Sequence, residues 1–126
     1  MNKIDWDSLR KAAMESQANA YAPYSHFRVG AALLADGRIF QGCNVENAAY
    51  PVGICAERAA LAQAVSSGCR HLEALVLVTD SPATPCGMCR QALVEFNQEL
   101  PILMVCDKLE AQATLGQLLP DPFVVE

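Results

Sequence analysis

The feature that most constrains this chain is a pair of cysteine-bearing junctions. Pro85-Cys86-Gly87-Met88-Cys89 puts two thiols three apart at the start of a helical segment, and Cys55 stands just ahead of a second, alanine-rich one, with Glu57 two residues beyond it. Cys86 and Cys89 can reach one ion, and Cys55 can supply a third ligand. Spacing alone leaves open a redox pair, a structural zinc clip and a catalytic zinc site. Three thiols without a fourth ligand favour the last, because structural zinc is closed by four protein ligands while catalytic zinc keeps a position for water. Neither His26 nor His71 falls in either junction. Three thiolates leave an excess negative charge on the metal, which blunts its power to acidify water. Two helix N-termini offset that charge, and Arg58 and Arg90, each directly following a key residue, are candidates to donate to a thiolate. Glu57 in this reading is a proton shuttle rather than a ligand.

The chain has 126 residues, 52% of them hydrophobic, which suits one core and a single domain spanning 1–126. Fourteen acidic against nine basic residues give a net charge of -5. With no run of Lys or Arg, this balance argues against a nucleic-acid partner, since such affinity rests on phosphate neutralisation. A charged fraction of only 18% in so short a chain implies surface hidden in a homo-oligomer. No apolar stretch is long enough to cross a bilayer, and residues 1–7 carry two acids where a signal peptide would be basic. The expected location is therefore cytoplasmic, where six cysteines point to metal binding or reactive thiols rather than disulfides.

Apolar and small positions at Trp6, Leu9, Ala12, Ala13 and Ala20 predict a helix over 5–20, stopped at Tyr21-Ala22-Pro23. Residues 27–35 and 38–43 flank Asp36-Gly37 and predict a hairpin. A helix over 56–67 closed by Gly68, a strand over 73–79, a helix over 87–97 and a strand over 101–106 follow. Residues 115–123 are too short and turn-rich to assign. The order predicts an α/β sandwich on a mixed sheet whose later strands are parallel, because helices cross between them.

Ile54-Cys55-Ala56-Glu57-Arg58, with Pro85-Cys86-Gly87-Met88-Cys89-Arg90-Gln91, resembles the zinc signature of the small cytidine deaminases. Residues 21–33 (YAPYSHFRVGAAL) look like that family's N-terminal block, residues 42–50 (GCNVENAAY) like its nucleoside-binding block, and residues 118–123 (LLPDPF) like its C-terminal end. The resemblance spans almost the whole chain and implies a three-layer α/β/α sandwich around a mixed five-stranded sheet. It also implies hydrolytic deamination of cytidine and 2′-deoxycytidine to uridine and 2′-deoxyuridine, with release of ammonia. Position by position, Cys55, Cys86 and Cys89 match the ligands of one Zn²⁺ per subunit, and Glu57 matches the general acid/base. Phe27 matches the ring that packs on the pyrimidine, and Asn44 and Glu46 match the side chains that bond the ribose hydroxyls. The Ala56 backbone lies where the base is contacted. Arg58 matches the arginine that bonds to the thiolates. Tyr50 and Phe123 would reach a neighbouring subunit's pocket in a homotetramer. Pro51-Val52-Gly53 departs from the Gly-rich and Thr-containing stretch expected there.

Two alternatives stay beside this reading. One keeps fold and zinc but acts on another amino-heterocyclic nucleoside, such as an antibiotic of the blasticidin type. The other is a zinc-stabilised module without enzymatic activity. Taken singly, Phe27 reads as core, and Asn44 and Glu46 as solvated turn residues. Cys43, Cys69 and Cys106 read as small buried hydrophobes, His26 and His71 as surface or packing residues, Met88 as packing, and Arg90 as solvated unless it serves a thiolate.

Overall fold

The first helix, α1 (Trp6–Gln17), starts where Asp5 accepts a hydrogen bond from the Ser8 N–H at 3.1 Å, an N-cap that satisfies one otherwise unpaired donor. The structure, a computed structural model, describes residues 3–125. Residues 1, 2 and 126, at the ends of the span read as one domain, lie outside the described residues. The helix ends three residues earlier than its pattern predicts, because Tyr21 leaves to form a parallel bridge with Val45.

Strands β1 (Val29–Ala35) and β2 (Arg38–Cys43) form the expected hairpin, with Ala35 opposite Arg38. Asp36 and Gly37 between them have φ of 49° and 76°, the left-handed pair a two-residue turn needs. Helix α2 (Ala56–Ser66), strand β3 (Leu72–Thr79), helix α3 (Gly87–Val94) and strand β4 (Pro101–Cys106) follow close to the predicted positions. β3 and β4 run parallel, as expected for strands joined through a helix. A fifth strand, β5 (Leu109–Thr114), pairs antiparallel with β4 and was not evident in the residue pattern. Its sequence LEAQAT is mostly exposed, and the Asp107-Lys108 turn before it contains no glycine, so neither alternation nor turn chemistry marks it. A single turn of helix, α4 (Leu115–Leu118), opens with a reciprocal capping box between Thr114 and Gln117.

The sheet order is β2-β1-β3-β4-β5. Alternation along β1 and β3 divides the core into two layers. Ala31, Leu33, Leu75 and Leu77 face Ala60, Leu61, Ala64 and Leu93 of α2 and α3, while Ala32, Ala74, Val76 and Val78 face Leu9 and Ala13 of α1. Covering both faces of the sheet gives the three-layer sandwich. The layers approach closely where side chains are absent. A Cβ on Gly42 of β2 would lie 2.3 Å from the Ala56 carbonyl oxygen and 2.5 Å from the Ala60 nitrogen. Glycine there lets the first turn of α2 rest on the strand, and that turn carries Cys55 and Glu57.

Candidate active site

Cys55 and Cys86 are the N-cap residues of α2 and α3, both in extended conformation and neither making a side-chain cap bond. The unpaired N–H groups of each first turn therefore remain available beside the sulfurs. Cys89, one turn into α3, is fully buried. The Cys55 and Cys86 sulfurs are 3.7 Å apart, and those of Cys86 and Cys89 are 3.5 Å apart. Tetrahedral zinc with bonds of about 2.3 Å places its sulfurs roughly 3.8 Å from one another, so the cluster is sized for one such ion. Among the described residues these three form the one group of His, Cys, Asp and Glu gathered closely enough to hold a metal. The absence of a fourth protein donor from that group fits an open site rather than a closed clip.

The thiols are electrostatically unequal. Hydrogen bonding from Cys89, with help from Arg58 and Cys86, outweighs burial and lowers Cys55 to about 5. The same bond, together with burial, pushes the Cys89 thiol up. Arg58 faces both sulfurs; burial opposes its charge, but the sulfurs more than compensate and hold the guanidinium above its ordinary value. Its Nε is buried without a hydrogen-bond partner. Glu57, only 4% exposed, is raised to about 7, chiefly by burial and secondarily by the charge on Cys55. A carboxyl near neutrality can both take and give a proton under ordinary conditions.

A cavity of about 710 Å³ opens over this corner, a size typical of small-molecule sites. Phe27, Asn44, Glu46, Tyr50, Ala56, Glu57 and Arg58 line it, with Cys55 and Cys86 at one end. Phe27 also packs on the main core, as its core reading expects, while it lines the cavity. Asn44 and Glu46 are not solvated turn residues. The Asn44 side chain accepts from the Val29 N–H at 2.9 Å and donates to the Phe27 carbonyl at 2.8 Å. Glu46 accepts from the Tyr24 and Ser25 N–H groups at 2.9 and 3.1 Å and from the Ser25 hydroxyl. Tyr50, expected at a neighbour's pocket, stands on the rim of this chain's own cavity in an edge contact with Tyr24, ring centres 6.0 Å apart. Pro51 shares a 3-10 turn, Tyr50–Val52, on the same rim.

Phe123 does not line the cavity and is 74% exposed. Its peptide is held by Gln91, whose side chain donates to the Phe123 carbonyl at 2.8 Å and accepts from its N–H at 3.2 Å. Two readings are corrected. Met88 is not a packing residue: it is 65% exposed at the cavity edge, because the first turn of α3 directs Cys89 inward instead. Arg90 neither serves a thiolate nor lies in solvent. It donates to the Pro85 carbonyl (2.7 Å), the Leu118 carbonyl (2.8 Å) and the Thr84 hydroxyl (2.8 Å), tying the Cys86 loop to the C-terminal segment. Cys69 is buried as expected, and Cys43 and Cys106 are partly so.

The model of the cytidine and deoxycytidylate deaminase zinc-binding region matches residues 5–104. A cytidine deaminase of Sporosarcina psychrophila is 44% identical across 98% of this chain and 94% of its own. One of Mycobacterium tuberculosis is 46% identical across 98% and 92%. The crystal structure of cytidine deaminase from Burkholderia pseudomallei aligns with a TM-score of 0.88 at 41% identity, covering 95% of this chain and all 100% of that one.

Proposed function

Because this chain belongs to the cytidine and deoxycytidylate deaminase family, we propose that it is a zinc-dependent cytidine deaminase converting cytidine and 2′-deoxycytidine to the uridines in pyrimidine salvage. The observation that carries the reading is the meeting of three thiols, sulfurs 3.5 and 3.7 Å apart, with a buried Glu57 at the end of the cavity that Cys55 and Cys86 line. Cys55, Cys86 and Cys89 would hold one Zn²⁺ per subunit, which would supply Lewis-acid activation of a water. In balance, water supplies oxygen to C4, the C4–N bond breaks, and ammonia leaves. Glu57 carries both protons of the water in turn, the first to N3 and the second, given up by the C4 hydroxyl as it becomes a carbonyl, to the departing amine, a role suited to a carboxyl raised to about 7. Phe27 packs on the pyrimidine, the Ala56 backbone meets the base, and Asn44 and Glu46 receive the ribose hydroxyls. Arg58 and the two helix starts offset the thiolate charge.

The test is the loss of absorbance near the cytidine maximum on mixing zinc-loaded protein with cytidine. No change would move the assignment to another amino-heterocyclic nucleoside, and absence of an exchangeable metal ligand would move it to a zinc-stabilised module.

The same reading makes the protein a cytoplasmic homotetramer of single-domain subunits with shared sites. Its support is the set of six free thiols and the exposure of Tyr50 and Phe123 at 76% and 74%. Mixing an excess of a chain truncated before Pro120 with full-length Glu57→Gln, under subunit exchange, should give more activity than the two alone, since a mixed assembly pairs an intact tail with an intact Glu57. Strictly additive activity with exchange confirmed by mass would mean that each pocket is built from one chain.

A further inference from the structure

Ser25 lies on the loop that carries Phe27, and no step above uses it. Its hydroxyl makes two bonds: the Phe27 N–H donates to Ser25 Oγ at 3.0 Å, and Ser25 Oγ donates to Glu46 Oε2. His26 between them sits at φ 59°, a left-handed conformation uncommon outside glycine, which folds the loop so that the Phe27 N–H returns onto Ser25. On its other side the Phe27 peptide is fixed by Asn44, through the carbonyl.

A serine hydroxyl has one proton to give and two lone pairs. With the Phe27 N–H on the oxygen, the proton is left for Glu46, whose other oxygen is already committed to two backbone N–H groups. The carboxylate cannot swing without abandoning three donors. These bonds, Ser25's hydroxyl foremost, also hold Glu46 below the usual carboxylate range. An ionised carboxylate only accepts, so the lone pair left on Oε2 calls for a donor in the cavity, such as a sugar hydroxyl.

We propose that Ser25 is a positioning residue for sugar selection, aiming the Glu46 carboxylate at the ribose hydroxyls. The inference rests on the reading of Glu46 as a sugar contact. It is tested on the zinc-loaded, full-length protein with cytidine and with 2′,3′-dideoxycytidine, the latter measured as substrate or as competing ligand, in the variants Ser25→Ala, Ser25→Thr and Glu46→Gln. Ser25→Ala should lower kcat/KM for cytidine about tenfold, mainly through KM, the scale of one hydrogen bond to a charged group. The dideoxy compound should change by no more than about twofold, and Ser25→Thr, which keeps the hydroxyl, should recover most of the loss. Equal losses on both compounds, no loss on cytidine, or a threonine variant as poor as the alanine one would overturn the role of Ser25, provided Glu46→Gln still penalises cytidine selectively. If Glu46→Gln weakens both compounds equally, the sugar reading of Glu46 falls, and the inference with it. Zinc content and melting temperature equal to wild type confirm that each variant is folded.

Discussion

The two ends of the cavity are built by different means. At the metal end, three cysteines and Glu57 come from the first turns of two helices laid side by side on the sheet, and their positions follow from backbone geometry and close packing. At the other end, where the proposed function puts the sugar, Phe27, Asn44 and Glu46 come from loops knitted together by side-chain hydrogen bonds to backbone. The metal end is thus fixed by the fold, with Cys89 and Ala56 fully buried, whereas the sugar end is a partly exposed lattice that a few side chains hold in shape. Reaction chemistry tolerates misplacement poorly, and the proposed function places it at the end that the helices fix and ligand selection at the end that side chains hold.

That contrast can be broken by substitution. The largest effect belongs to Cys89→Ala, which should lose zinc, activity and melting temperature together, since metal binding is coupled to folding. A soluble variant with full zinc would remove Cys89 from the ligand set. Glu57→Gln should keep the metal and the fold while kcat falls about 10²–10⁴-fold; retention of more than a tenth of the wild-type rate would exclude Glu57 as the proton carrier. Gly42→Ala comes next and touches no substrate. Its Cβ would meet the Ala56 oxygen at 2.3 Å, so α2 must shift, and a misplacement near 1 Å costs about 10²-fold in rate. An unchanged kcat in that variant would mean that the metal end is not positioned by strand contact. The smallest effect is that of Arg90→Lys, which retains the charge but not the three-way fork; a loss of about 1–2 kcal/mol in stability with zinc affinity nearly intact is expected from denaturant titration.

The metal end was largely legible in the residues, because one-turn spacing, helix starts and the lack of a fourth ligand are all sequence properties. The sugar role proposed for the other end rests on resemblance alone. Asn44 and Glu46 carry no periodic signal, and the backbone groups they bind leave no mark on composition. For the same reason the tie made by Arg90 was hidden, since two of its three acceptors are carbonyls that any residue could provide. β1 to β4 followed from apolar patterning and the Asp36-Gly37 turn, whereas β5, polar and mostly exposed, offers no contrast between its faces. Met88 and Cys89 illustrate a further limit: both are apolar neighbours on one helix, and only the direction of its first turn decides which faces the core.

The outermost strands have a consequence for how copies of this chain can join. A sheet grows by adding strands to its open borders, and although each border here exposes one large apolar side chain, Ile39 on β2 and Leu109 on β5, both also carry charge that opposes such growth. On β2, Arg38 and Gln41 are exposed, with Arg38 stacked 5.0 Å from the Phe40 ring centre. On β5, Glu110 is exposed and engaged by Arg10 at 2.8 Å. Charged and polar side chains along such borders discourage edge-to-edge ribbon formation and the fibrous aggregates it leads to. Concentrated solutions should therefore yield bounded particles rather than filaments.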